Sequence, residues 1–167
     1  DFALANYNLG NILIDLRQLR EAEIYTRKSI KLKPSFAMAH YNLGNILRDL
    51  GKLKEAEIST RKAIEINPNF AIAYSNLGGI LRDLGKLQEA ELSTRKAIEI
   101  KSDYSTAHLN LGNILKDLDQ LQEAKLSYKK AIEINPNCAI THSNLGNILR
   151  DLGKLKEAEI STRKAIE

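Results

Sequence analysis

The chain reads as an all-α solenoid, a single row of stacked antiparallel helix pairs. Three observations predict this. The tripeptide "NLG" returns at Asn8, Asn42, Asn76, Asn110 and Asn144, every 34 residues and without an insertion. Each unit carries two apolar stripes at helical spacing, divided by a Gly or a substitute for it. The 24 residues from Asn42 to Glu65 recur letter for letter from Asn144 to Glu167. Self-similarity at a fixed period of a few tens of residues marks a repeat architecture.

The units run 3–36, 37–70, 71–104, 105–138 and 139–167 and form one solenoid domain over 1–167, the last unit being truncated. Asp1 and Phe2 match Asn69-Phe70 and Asp103-Tyr104, so they read as the tail of a preceding unit. The cut ends predict an excerpt of a longer array with apolar end faces, and hence head-to-tail self-association.

Within the second unit, Leu43, Ile46, Leu47 and Leu50 stand at i, i+3, i+4 and i+7, the stripe of a first helix. Gly51, Gly85 and Gly153 follow as left-handed residues that end it. Asp119 takes that place in the fourth unit and tolerates it, whereas Arg17 in the first unit fits less well. Ala56, Ala63 and Ile64, with Ile58 and Ile66 beside them, predict a second amphipathic helix. Pro34, Pro68 and Pro136 end that helix, with Ser102 standing in for the Pro of the third unit. Gly10, Gly44, Gly78, Gly112 and Gly146 lie inside the first helices. Glycine there costs about 1 kcal/mol against Ala. Close approach to Ala22, Ala56, Ala90, Ala124 and Ala158 is the expected compensation. Each pair then leaves an apolar flank that only the next pair covers.

Leu-Gly at positions 7 and 8, Ala at 20, a small residue at 27 and Pro at 32 of a 34-residue unit resemble the tetratricopeptide repeat over nearly the whole chain. The resemblance implies a right-handed superhelix whose first helices line a concave groove. The chain departs from the family at position 4, where an aromatic gives way to Asn6, His40, Tyr74, His108 and His142. Position 11 is Leu throughout, and position 24 is Thr except at Tyr128. These exchanges thin the aromatic packing.

The 43% apolar and 28% charged composition is that of a globular chain, with no apolar run able to span a bilayer and no signal-peptide pattern at the start. Cys138 is the lone cysteine, so no internal disulfide or thiolate metal cluster forms; it replaces Phe36, Phe70 and Tyr104 of the other units and reads as a small buried residue. His40, His108 and His142 stand one unit or more apart, too far to share an ion, and are expected to pack against the neighbouring helix. No phosphate loop, dinucleotide fingerprint or nucleophile motif occurs, so neither a cofactor nor catalysis is expected. A reducing, cytoplasmic setting is compatible with the single thiol.

Two polar columns remain on the face opposite the Leu/Ile stripe. One comprises Asn8, Asn42, Asn76, Asn110 and Asn144, with Asn11, Asn45, Asn113 and Asn147 three residues on and Gly79 as the exception. The other comprises Asp15, Asp49, Asp83, Asp117 and Asp151. Arg48, Arg82, Lys116 and Arg150 directly precede four of these carboxylates and are expected to neutralise them in part, leaving about one negative charge on the face. Basic pairs such as Arg61-Lys62 follow Glu57 on the second helices as solvated i,i+4 partners, a pattern that Lys125 and Lys129 break in the fourth unit. Neither arrangement forms a phosphate track, which argues against nucleic acid.

An Asn amide can grip both the N–H and the C=O of a peptide unit. With helices about 8–10 Å apart and an extended chain advancing about 3.3 Å per residue, one Asn per repeat would meet about every third peptide unit. This ladder resembles that of the substrate-binding superhelix of O-linked N-acetylglucosamine transferase. The expected function is a scaffold or adaptor that binds an extended peptide of a protein partner in the groove. The alternatives are the substrate-recognition arm of a larger enzyme such as a glycosyltransferase, a self-associating structural array, and an Asn column that only staples neighbouring repeats.

Overall fold

A computed structural model describes residues 2–166. Among them are ten helices and no strands: α1 (Phe2–Asp15), α2 (Leu19–Leu32), α3 (Ala37–Asp49), α4 (Leu53–Ile66), α5 (Ala71–Asp83), α6 (Leu87–Ile100), α7 (Ser105–Asp117), α8 (Leu121–Ile134), α9 (Ala139–Asp151) and α10 (Leu155–Arg163). Odd numbers are the first helices of the repeats and even numbers the second. The readings placed on Asp1 and Glu167 lie outside the described residues.

The first helices end as the glycine spacing predicts. The Gly51 N–H donates to the Arg48 carbonyl at 2.9 Å and the Lys52 N–H reaches back to Leu47 at 2.8 Å, the paired bonds of a Schellman cap. Gly51 holds φ at +74°. Arg17 and Asp119 adopt the same left-handed conformation, at +60°, and make the equivalent bonds. The turn is thus kept even where the sequence offers an arginine. Ser102 likewise sits in the same kind of turn as the three prolines.

Close approach inside a pair is real, but its main partner is not the predicted alanine. A Cβ on Gly10 would stand 2.7 Å from Thr26 Oγ1, while the Ala22 carbonyl lies 3.6 Å away. Thr60 and Thr94 fill the same role against Gly44 and Gly78. Their hydroxyls donate to the Ala56 and Ala90 carbonyls at 2.9 and 2.8 Å, so a polar atom enters the seam already satisfied. In the fourth repeat the Tyr128 ring presses on Gly112, only 2.5 Å from where a Cβ would stand.

Between repeats the apolar contacts form one cluster per junction. Ile46 packs with Leu13 and Ala22, Ile80 with Leu43, Leu47 and Ala56, and Ile114 with Leu77, Leu81 and Ala90. Each isoleucine is a plug from the next first helix set into the pair before it. Their near-complete burial reflects that setting. Leu9 and Ile12 of α1, at the positions buried in the later repeats, are exposed.

Contacts also reveal the curvature. Successive first helices touch, α1 with α3, α3 with α5 and α5 with α7, whereas second helices meet chiefly the first helices on either side. The first helices therefore lie on the tighter, inner side of the row, and the second helices splay on the outer side.

Candidate functional site

The solvent side of the first helices is the inner face. It is built from positions 2, 5, 9, 12 and 13 of each repeat, which share one face of a helix. The predicted Asn column lies along it, largely in bonds between neighbouring repeats. Asn42 Nδ2 donates to Asn11 Oδ1, and Asn144 Nδ2 to Asn113 Oδ1 at 3.0 Å. Where Gly79 removes the acceptor, Asn110 donates instead to the Ser75 hydroxyl at 3.0 Å. The α3–α5 junction breaks the pattern. Asn76 Nδ2 is enclosed without a partner, and the half-buried Asn45, the residue equivalent to Asn11 and Asn113, makes no hydrogen bond. Asn8 and Asn147 are exposed and equally free.

Within the Asp column, Asp83 and Asp117 are bonded across repeats, while the preceding residue expected from the sequence acts on Asp151 and, through charge alone, Arg82 on Asp83. Arg48 bonds Asp83 at 2.7 Å and Arg82 bonds Asp117, each reaching one repeat forward. The Arg48 guanidinium lies across Gly79, where a Cβ would come within 2.9 Å of Nη1, so the missing side chain makes room for this crossing. Only Arg150 stays beside its own neighbour, Asp151, at 3.6 Å. Asp49 has no basic partner, because the place one repeat back holds Ile14. The hydrogen bond that Arg82 donates to Asp117 and the charges of Asp117 and Asp83 outweigh desolvation and raise the pKa of Arg82.

Tyr128 ties the two layers together. Its ring is fully buried, and its hydroxyl donates to Asn113 Oδ1 at 2.8 Å, on the same oxygen that accepts Asn144. Burial pushes this phenol up to about 12.

Sequence reasoning did not single out the columns that vary between repeats. Position 2 carries the exposed Leu4, Met38, Ile72 and Ile140. Position 5 carries Tyr7 and Tyr41, whose rings lean on Phe36 and Phe70 with centroids 4.9 and 5.3 Å apart, and then Ser75. Apolar residues on an expected solvent face, four positions before an Asn of the columns as Leu4 stands to Asn8 and Tyr7 to Asn11, were the available signal.

The remaining candidates are structural. His40, His108 and His142 turn Nε2 to the carbonyls of Pro34, Ser102 and Pro136 at 2.8–2.9 Å, locking each turn to the helix after it. Cys138 is half-buried before α9, less enclosed than its sequence suggested. Among the described residues no three His, Cys, Asp or Glu side chains converge, and no helix is long and apolar enough to cross a membrane.

Models of the tetratricopeptide repeat match residues 3–36, 37–70, 60–91, 105–138 and 127–160. The chain belongs to the tetratricopeptide-repeat family. Comparison with curated protein sequences found no match. Among solved structures, YrrB, described as a tetratricopeptide-repeat protein with an unusual peptide-binding site, is 25% identical with a TM-score of 0.74, over 98% of this chain and 84% of that one. MamA from Desulfovibrio magneticus RS-1 is 20% identical with a TM-score of 0.85, over 99% and 94%. The pilF protein of Pseudomonas aeruginosa is 22% identical with a TM-score of 0.91, over 98% and 75%. The last two show likeness of fold alone. Tetratricopeptide repeats are typically non-enzymatic protein-interaction modules, which supports a scaffold role for this chain.

Proposed function

We propose that the inner face holds an extended segment of a protein partner, gripped at its backbone by amides and sorted by the position-2 and position-5 side chains. The observation that carries this is Asn45. Its amide is half-buried, free of any bond, and set between Tyr41 and Arg48 at i−4 and i+3, so all three address one ligand. A half-enclosed amide without a partner gains by receiving one. The description of YrrB as a peptide binder points the same way for a protein of this family.

The position-6 amides have a double part. Asn42 and Asn144 each spend one N–H on the preceding repeat, which favours stapling, and keep a second N–H and a carbonyl for a ligand, whereas Asn110 turns its Nδ2 to both the hydroxyl and the carbonyl of Ser75 and keeps its own carbonyl. The two parts separate by experiment. Unstructured peptides selected from a displayed random library should lose about tenfold in affinity on Asn45→Ala, as expected for one or two hydrogen bonds, with the melting temperature unchanged. Asn42→Ala should lower the melting temperature as well. Selected peptides that bind Asn45→Ala and Tyr41→Ala as tightly as the parent would remove the inner face from the reading.

A further inference from the structure

Unpaired charge is not spread evenly along the inner face. Asp15, Asp49, Asp83, Asp117 and Asp151 are the last residues of α1, α3, α5, α7 and α9. A carboxylate there faces the negative end of its helix dipole and gains from a cation beside it. Asp83 and Asp117 each receive one from the repeat before, Arg48 and Arg82. Asp49 receives none, because Ile14 holds the supplying place and its own neighbour Arg48 is bonded to Asp83. Asp15 is likewise without a bonded partner.

The opposite imbalance lies two repeats further on. Lys116 of α7 holds the place of Arg48 and Arg82, yet no carboxylate meets it. Asp151, the acceptor that the one-repeat offset would supply, stands beside Arg150 at 3.6 Å instead. Asp49 and Lys116 are both exposed. Between them the Arg48–Asp83 and Arg82–Asp117 bridges are closed. The inner face thus carries a free negative charge over the second repeat and a free positive charge over the fourth, with a balanced stretch between. Each free charge sits one helical turn beyond an amide, Asp49 four residues after Asn45 and Lys116 three after Asn113, so both stand on one wall of the groove. Two repeats span roughly 16–20 Å at about 8–10 Å between packed first helices. An extended chain advancing about 3.3 Å per residue covers that distance in about five or six residues, and because its side chains alternate, an interval of about six sets two of them on the same wall.

We propose that the segment held in the groove carries Lys or Arg over Asp49 and, about six residues along, Asp or Glu over Lys116. This rests on the groove reading above and adds the chemistry of the segment and which of its ends lies over which end of the row. The spacing matters as much as the charges. A segment with the same two charges side by side meets only one of the two groups, and one with like charges is repelled at one of them. Asp49 and Lys116 belong to different repeats, so reversing either leaves the preference at the other in place. Neither charge serves the fold: the Asp49 carboxylate stands against the dipole of α3 with no cation bonded to it, so its removal separates binding from stability.

The probe is a displayed library of random peptides of about twelve residues, selected on the parent chain at low salt. Binders should show Lys or Arg followed about six residues later by Asp or Glu. On Asp49→Lys the first of these should turn acidic and the second stay as it was; on Lys116→Glu the second should turn basic and the first stay. A peptide selected on the parent should lose about fivefold in affinity on Asp49→Asn, the upper range for one exposed ion pair, and the difference should vanish in half-molar salt. The melting temperature of Asp49→Asn should equal or exceed that of the parent. Binders without the charge pattern, or with the same pattern on both reversed variants, overturn the proposal. An Asp49→Asn chain that melts lower and binds the peptide as before gives Asp49 to the fold and overturns it too. These outcomes leave the groove reading standing if the same peptides weaken on Asn45→Ala. Peptides indifferent to Asn45→Ala, or a selection that returns no binder, overturn both.

Discussion

Tyr128 stands where four other repeats carry threonine, and one side chain changes what a whole junction does. Its ring needs Gly112, because any β-carbon there would meet the ring, which is enclosed on all sides. Its hydroxyl fixes the oxygen that Asn144 also uses. Burial holds the phenol proton to about pH 12 in the folded chain, against about 10 unfolded. The folded-state value is the raised one, so the stabilisation is complete below pH 10 and is lost as pH climbs from 10 toward 12. Stability measured by urea unfolding should fall over that interval by on the order of 2 kcal/mol. Tyr128→Phe should remove most of the fall. A remnant is expected from Tyr104, whose phenol burial also raises. The identity of this residue was visible in the sequence, but its reach into the inner face was not: spacing along a helix reports i,i+4 neighbours, whereas Tyr128 and Asn113 meet across a turn.

At the level of helices, the caps and the ladders between them were unequally legible. A Gly after each apolar stripe announces a left-handed stop, and Gly51, Gly85 and Gly153 provide one. Arg17 adopts the same conformation at a cost, which gives a direct test. Arg17→Gly should stabilise the chain by about 1 kcal/mol, read as a higher melting temperature, and Gly51→Ala should cost about as much. No neighbour lies where a Cβ at position 51 would stand, so the cost there is conformational alone. The charged ladder is harder to read. The Glu57–Arg61 pair follows from i,i+4 spacing, but Arg61 also reaches Glu89, and Lys86 returns to Glu57. Burial pushes the Glu57 carboxyl up, but the hydrogen bonds from Lys86 and Arg61, with their charges, hold it below the ordinary carboxylate range. The inner pairs Arg48–Asp83 and Arg82–Asp117 show the same one-repeat offset. A single sequence gives the contents of each column; the stagger between columns comes from how one pair seats against the next, and no residue spacing encodes that directly.

Across the molecule, the period, the pairing and the absence of a central core all followed from the 34-residue repeat, because a helix pair with an uncovered apolar flank has one neighbour to turn to. The inner face was placed through family likeness and agrees with which helices touch. The exposure of Ile58, expected on the apolar side of α4, went unseen because Ile58 and Ile64 look alike as letters and differ only in the direction they face. Cooperation along the row should pass through the isoleucine plugs. Ile80→Ala removes a fully buried plug and should cost about 2–5 kcal/mol. Because that plug belongs to one junction, hydrogen exchange should quicken first in α3 to α6. An equal rise in all ten helices would indicate a chain that opens only as a unit.

The chain of plugs has a mechanical side. Tension applied at the two termini runs in series through the junctions, each closed by its own small apolar cluster. Such a row behaves as a spring with discrete links: it lengthens reversibly by changing pitch, and beyond its limit yields one hairpin after another while the others keep their shape.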